Sequence, residues 1–78
     1  MGGVPKQQFT ANESAIAAIR VRLGWSQRRL ATAVGVHPSL IAQLETGRCG
    51  VSDQVLKDIA REFGVPIESI VFVAEEAS

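Results

Sequence analysis

The stretch Gln27–Thr46, QRRLATAVGVHPSLIAQLET, decides the fold that we predict for this chain. Its apolar residues recur at the spacing of two short helices, and they are Leu30, Val34, Val36, Ile41 and Leu44. Ala31 is small where two helices must cross closely, and Gly35 stands where the chain must turn sharply between them. In this order the residues predict two helices joined by a tight turn.

The flanking sequence predicts three more helices and no strand. Thr10 and Glu13 have the spacing of a capping box, which would start the first helix at about Ala11. A fourth helix is predicted after the tight-turn pair, and Pro66 is expected to open a short fifth helix that runs to about Phe72. We therefore expect a flexible arm in residues 1–9, a helical domain in residues 10–72 and a tail in residues 73–78.

The composition excludes several classes of protein. The chain has 78 residues and one cysteine, which forbids an internal disulfide and leaves no second thiol for a zinc site. His37 and Cys49 are the only histidine and cysteine and have no third group to complete a catalytic triad. No apolar run is longer than that of Ile70–Ala74, which is too short for a membrane span. We expect a cytoplasmic, nucleoid-associated protein with no enzymatic activity, metal, cofactor or membrane contact.

Charge is divided unevenly along the chain, although its formal net charge is zero. Residues 1–48 carry six basic and two acidic side chains, a balance of +4, whereas residues 49–78 carry two basic and six acidic ones, a balance of −4. The positive half contains the tight-turn pair, and a dipolar chain can orient on a polyanion. The alternative is that these charges are ordinary solvated helix faces.

The outer stripe of the third helix is the candidate recognition surface. Its members follow the spacing i, i+3, i+4, i+7, and they are Ser39, Ala42, Gln43 and Thr46. All four are small or uncharged, so the stripe can lie against base edges in the major groove of double-stranded DNA. Gln43 can donate and accept together, as adenine N6 and N7 require, whereas Ala42 and the Pro38 ring can touch a thymine methyl. Ser39 can contact a base or a phosphate. The alternative is that Gln43 is simply an exposed helix glutamine.

Phosphate contacts are predicted beside this stripe. Gln27 lies in the first turn of the second helix, where free backbone amides and the helix dipole attract anions. Arg28 and Arg29 follow at once, and Arg48 comes just after the third helix. His37 is expected to cap the third helix or to lie next to a phosphate.

From about Ile16 to Ile70 the chain resembles the lambda-repressor/Cro-like helix-turn-helix family. The resemblance rests on four ordered segments, which are Leu23–Gln27, Leu30–Val36, Ile41–Arg48 and Phe63–Val65. It implies an all-α, compact five-helix domain in which helices 2 and 3 form the helix-turn-helix. It also implies a protein, commonly dimeric, that regulates transcription at an operator.

Single positions also match the family. Gln27 falls on the family's phosphate-binding glutamine, and Arg20 and Glu45 fall on positions that often form a salt bridge between helix 1 and the end of helix 3. His37 stands where the family usually has serine or threonine, and Pro38 replaces a residue that in many relatives is polar and reaches the DNA. Gln43 is therefore expected to carry most of the sequence information, and direct readout should be modest.

Two functions of different classes follow from these observations. The first is a sequence-specific transcriptional regulator, a small phage or bacterial protein of the Cro or repressor type, with operator DNA as its partner. The second is a protein-interaction module of the same fold, an antitoxin or a regulator of another repressor, with weak DNA binding. No sensor domain is evident in the sequence, so we expect no small-molecule effector.

We expect the regulator to be a homodimer. The apolar tail is more than one face of a short helix can bury, and the predicted dimer contact consists of Ile70, Val71, Phe72 and Val73. The alternative is that the tail completes the core of the monomer.

Overall fold

The computed structural model describes residues 9–73, which form four α-helices, one turn of 3-10 helix and two short strands. In chain order these are β1 (Phe9–Ala11), α1 (Glu13–Arg22), α2 (Gln27–Val34), α3 (Pro38–Glu45), α4 (Asp53–Phe63), the 3-10 helix (Ile67–Ser69) and β2 (Val71–Val73). None of the described helices combines the length and the apolar character of a membrane span. Most of the predicted arm and tail, residues 1–8 and 74–78, lies outside the described residues.

Each of the four α-helices contributes to a single apolar core. Its buried residues are Ile16, Leu30, Ala31, Ile41, Leu44, Leu56, Ile59, Ala60, Phe63, Ile70 and Val71. Ala31 has no exposed surface, which fits the small residue expected where α2 packs closely against its neighbours. The core therefore holds α2 and α3 on the same support and leaves their outer faces to solvent.

The turn between α2 and α3 is made by a left-handed glycine. Gly35 has a φ of 77°, a conformation that costs a side-chain-bearing residue about 1–2 kcal/mol. The N–H of Val36 bonds back to the carbonyl of Ala31 at 2.9 Å, which closes the end of α2. The chain then reaches Pro38, the first residue of α3, within three residues of Gly35.

The first helix begins differently from the prediction. Thr10 lies in β1, and α1 starts at Glu13 after Asn12, whose Oδ1 accepts the N–H of Ala15 at 3.2 Å. The expected Thr10–Glu13 capping box is therefore wrong. Asparagine is among the strongest N-caps, whereas β-branched threonine suits a strand.

The expected fifth helix, from Pro66 to about Phe72, is not confirmed as an α-helix. After Pro66 the chain makes only the 3-10 turn of Ile67–Ser69 and then forms β2, which pairs with β1 in antiparallel register. β-Branched and aromatic residues such as those of Val71–Val73 favour a strand, and β1 supplies the hydrogen-bonding partner. The fold is therefore mostly helical, as expected, with four α-helices and a small two-stranded sheet in place of the expected five helices.

The strand pairing also corrects the predicted dimer contact. Ile70 has no exposed surface and Val71 is 5% exposed, so both complete the core of the monomer. Phe72 is 58% exposed, because successive side chains of a strand point to opposite faces. The side chain of Val73 lies outside what the structure describes.

Candidate nucleic-acid interface

The outer face of α3 presents the predicted stripe on one side of the helix. Ser39, Gln43 and Thr46 are exposed, and Ala42 and Pro38 are half-buried. The helix buries Ile41 and Leu44 completely on its other side. This division follows from the helical period of 3.6 residues and gives the domain a solvent-facing surface without charge.

Gln43 keeps its amide group available. Within residues 9–73 its side chain makes no hydrogen bond, whereas its backbone carbonyl accepts from Arg48 N at 2.8 Å and from Thr46 Oγ1 at 3.1 Å. An exposed amide with a free donor and a free acceptor can bind two groups on one base edge.

Thr46 is the C-cap residue of α3 and lies exposed at the end of the stripe. Its hydroxyl is placed to donate to the carbonyls of Ala42 and Gln43, each at 3.1 Å. The proton thus satisfies the helix end, and the Thr46 oxygen can only accept from an external partner.

His37 is the N-cap of α3. Its Nδ1 accepts the backbone N–H of Ser39 at 3.0 Å and lies 2.9 Å from Ser39 Oγ. Both residues are exposed, and the other ring nitrogen, Nε2, lies on the opposite edge of the imidazole. His37 was expected to cap α3 or to lie next to a phosphate, and in the structure it caps the helix through Nδ1. Its Nε2 is available for a second contact.

The start of α2 has the geometry of an anion site. Ser26 Oγ accepts the N–H of Arg29 at 3.0 Å, whereas the backbone N–H groups of Gln27 and Arg28 have no acceptor within the described part of the chain. Such groups and the helix dipole favour a bound anion. The Gln27 side chain donates one of its two N–H groups to Glu45 Oε1 at 3.0 Å.

Three exposed arginines flank the stripe, and one of them has an aromatic support. The guanidinium carbon of Arg29 lies 4.6 Å from the centre of the Trp25 ring, and Trp25 packs against Phe63 with ring centres 5.8 Å apart. Sequence reasoning missed this stack, although a tryptophan four residues before an arginine was a signal for it. Arg28 and Arg48 are exposed without a comparable contact among residues 9–73.

A salt-bridge cluster fixes these elements from beneath. Arg20 Nε and Nη2 donate to the two oxygens of Glu45 at 2.7 and 3.0 Å, and Nη1 donates to the carbonyl of Trp25 at 2.6 Å. The two side chains are only 13% and 5% exposed. The hydrogen bond to Glu45 raises the pKa of Arg20 above its ordinary value, against the opposing effect of desolvation. The cluster ties α1, the start of α2 and the end of α3 into one unit.

The electrostatic character of this surface is positive. Residues 26–48 contain three exposed arginines, and their one acidic residue, Glu45, is held in the cluster with Arg20. Glu13 of α1 is a nearby negative charge, because its carboxylate lies against Gly47 at the end of α3. Apart from Glu13 and Glu45, the acidic side chains that the structure describes lie on α4 and the 3-10 helix: Asp53, Asp58, Glu62 and Glu68.

Beside Arg48 lies an open groove of about 420 Å³, between β1 and the connection from α3 to α4. Phe9, Glu13, Arg48 and Cys49 are among its lining residues. Cys49 is a half-buried free thiol. Residues 9–73 contain no cluster of three side chains that could hold a metal ion.

Comparison with known proteins gives a consistent set of similarities. A family model for helix-turn-helix domains matches residues 16–70. The competence pilus inhibition repressor of Acinetobacter baylyi is 34% identical over 61 residues, which make up 78% of this chain and 56% of that protein. The chain therefore spans little more than half the length of this curated relative.

Two solved structures add fold-level similarity. The clp gene regulator ClgR from Corynebacterium glutamicum is 30% identical with a TM-score of 0.69, over 72% of this chain and 60% of that one. PlcR from Bacillus thuringiensis, solved in complex with a peptide and DNA, is 31% identical with a TM-score of 0.68, over 74% of this chain and 20% of that one.

Proposed function

The chain belongs to the helix-turn-helix family, and we propose that it is a transcriptional regulator that binds double-stranded DNA with α3 in the major groove. One observation carries the proposal. The exposed stripe of α3 is uncharged, it lies between exposed arginines, and residues 26–48 present no exposed carboxylate beside it. A relative that is a repressor and a structural neighbour solved with DNA support the same reading.

In this proposal phosphate contacts position the domain and a few side chains read bases. The phosphate contacts come from Gln27 with the free amides of α2, from Arg28 and Arg29, from Arg48, and from Nε2 of His37. The side chains that face the bases are Gln43, Ser39, Ala42 and Pro38. Because Gln43 is the one amide among these four side chains, direct contacts distinguish few bases, and phosphate contacts supply much of the affinity.

The finer proposal is a small regulator of the Cro or repressor type, from a bacterium or a phage. The three relatives described above are bacterial proteins, which supports that origin. The rival is a protein-interaction module of the same fold, an antitoxin or a regulator of another repressor. The zero net charge of the chain is the observation that favours the rival.

Arg28→Ala should weaken binding to all duplexes alike. The removal of one phosphate contact should reduce the slope of log K against log salt by about 0.9, because fewer counterions are released. The measurement is a fluorescence-anisotropy titration of one selected and one unrelated duplex over a range of salt concentrations. Arg61→Ala is the control, because it removes the same charge from an exposed position on α4 and should leave the slope unchanged.

Two results would count against the proposed function. If Arg28→Ala and Arg61→Ala change the slope equally, the effect comes from net charge and the face is misassigned. If the wild-type chain binds no duplex even at low salt, the rival function replaces DNA binding.

We further propose that the regulator acts as a homodimer through the outer face of the two-stranded sheet. Phe72 is a large apolar side chain, 58% exposed, and Thr10 lies opposite it on β1. A twofold contact there would present two α3 helices, about 34 Å apart, to a palindromic site.

Phe72→Ser should shift the chain toward monomer, because it removes apolar surface that a dimer would bury. Sedimentation velocity over a range of protein concentrations measures the shift. Val21→Ser is the matched control, since Val21 is 64% exposed on α1, outside the sheet. Unchanged association in Phe72→Ser, or equal loss in both variants, would place the dimer contact elsewhere.

A further inference from the structure

The contacts of His37 determine where its proton lies. Nδ1 is 3.0 Å from the backbone nitrogen of Ser39, and a backbone N–H can only donate. In this arrangement Nδ1 must therefore present its lone pair, so the ring proton lies on Nε2. Ser39 Oγ lies 2.9 Å from the same Nδ1. The hydroxyl can bond to this nitrogen in one way only, by donating a hydrogen bond to the lone pair that it shares with the Ser39 N–H.

The intervening proline restricts the backbone of this arrangement. The ring of Pro38 fixes its own φ, and it restricts His37 to the extended conformation that the structure shows, with φ −72° and ψ 143°. His37, Pro38 and Ser39 thus form a preorganised unit at the start of α3. The contact between the Ser39 hydroxyl and Nδ1 is present in the free protein, before any partner binds.

A hydroxyl that donates its hydrogen bond to His37 can act toward an external partner only as an acceptor. Ser39 is the second residue of α3 and is exposed. It therefore lies in the first turn of the helix, the part of a recognition helix that contacts base edges. Phosphate oxygens, guanine N7 and O6, and thymine O4 are all acceptors and cannot bind such an oxygen. Adenine N6 and cytosine N4 are donors and can.

We propose that His37 is a positioning residue which fixes the Ser39 hydroxyl as an acceptor and so selects an amino base, adenine or cytosine, on the strand that α3 contacts. The inference rests on the proposed function, because it requires α3 to lie in the major groove. Each base pair contains one amino and one keto base. The selection is therefore seen on one strand of an oriented site, as adenine or cytosine over guanine or thymine.

Selection from a random duplex pool tests the proposal with four forms of the full chain: wild type, Ser39→Ala, His37→Ala and His37→Asn. Asparagine Oδ1 can accept both hydrogens of Ser39 in place of Nδ1, and asparagine is a strong N-cap, so this variant keeps the acceptor without the ring. The base position read by Ser39 is the one that loses its preference in Ser39→Ala. The position read by Gln43 serves as the internal control.

In wild type and His37→Asn we expect adenine or cytosine to be enriched at the Ser39 position by roughly threefold to tenfold, the effect of one neutral hydrogen bond. In His37→Ala the hydroxyl is free to donate, so guanine and thymine should become equally acceptable there. Enrichment at the Gln43 position should survive in all four proteins. A nitrogen-15 NMR spectrum should show His37 Nδ1 unprotonated and Nε2 protonated in the wild type.

Three results would overturn the proposal while leaving DNA binding intact. They are a wild-type preference for guanine or thymine at the Ser39 position, an amino-base preference that persists in His37→Ala, and no position that responds to Ser39→Ala. If no position is enriched and no duplex is bound, the proposed function itself has failed. Rescue by His37→Asn separates the orientation of the hydroxyl from any general effect of the imidazole.

Discussion

Arg20→Met should lower the free energy of unfolding by about 3 kcal/mol, the loss typical of breaking a buried ion pair from one side. The side chain of Glu45 is 5% exposed, and the variant would leave its carboxylate with Gln27 as the remaining hydrogen-bond donor. One neutral donor cannot replace a bidentate guanidinium. The carbonyl of Trp25 would lose its 2.6 Å contact as well.

This loss is large for so small a domain. A chain of 78 residues has a free energy of unfolding of roughly 4–12 kcal/mol. Urea denaturation followed by circular dichroism measures the change in midpoint, and the slope of the transition shows whether unfolding stays two-state.

Two further variants isolate the cause. Arg61→Met makes the same change at a side chain that is 75% exposed and 3.7 Å from its partner carboxylate, and it should cost no more than about 0.5 kcal/mol. Arg20→Met combined with Glu45→Met removes both charges, so it should recover most of the lost stability. The role given to the cluster would be contradicted if Arg20→Met lost no more free energy of unfolding than Arg61→Met. It would also be contradicted if the double variant were as unstable as Arg20→Met alone.

The sequence predicted the parts of the fold that short-range rules control. The bounds of α2 and α3 follow from Ser26, Gly35 and Pro38, whose capping and turning effects act within a few residues. The core faces follow from apolar spacing for the same reason. These signals are local, so a single sequence contains them.

The strand pair could not be predicted in this way. Each strand has three residues, too few to show a period of two, and each depends on a partner about sixty residues away in the chain. The run Val71–Val73 is apolar and fits a buried helix end equally well until Phe9–Ala11 is placed beside it. The same ambiguity explains why the predicted dimer contact included Ile70 and Val71. A short helix could not bury both of these residues, whereas the strand places them in the core of the monomer.

The candidate site was predictable as a set of positions and not as a set of hydrogen bonds. Helical spacing is enough to place Gln43 and Ser39 on one face. It does not reveal that Thr46 donates to the end of its own helix, or that the Ser39 hydroxyl lies within hydrogen-bond distance of His37 Nδ1, because these contacts depend on side-chain rotamers. The face therefore has fewer hydrogen-bonding groups available to an external partner than its residue types alone suggest.

Gln43→Ala should remove about 1–3 kcal/mol of discrimination at one base position, which is roughly a fivefold to 150-fold change in relative affinity. The reason is that Gln43 combines an exposed position on α3 with an amide that no described residue occupies. Both of its hydrogen-bonding groups can face adenine N6 and N7, whereas alanine offers neither.

Competition between duplexes that differ only at that position measures the loss. Gln54→Ala is the matched control, since Gln54 is an exposed glutamine on α4 whose amide donates to Asp58 at 3.1 Å, and its removal should leave base preference unchanged. The control separates recognition by α3 from the general effect of losing a helix glutamine.

The contrast between Gln43→Ala and Arg28→Ala is more informative than either variant alone. A side chain that reads a base changes the ratio of affinities for two duplexes at constant salt, whereas one that binds phosphate changes both affinities together and alters their dependence on salt. If Gln43→Ala behaves like Arg28→Ala, Gln43 contacts the backbone and the reading face of α3 is misassigned. If it changes only the ratio, Gln43 reads a base and α3 lies in the major groove with its uncharged stripe against the base edges.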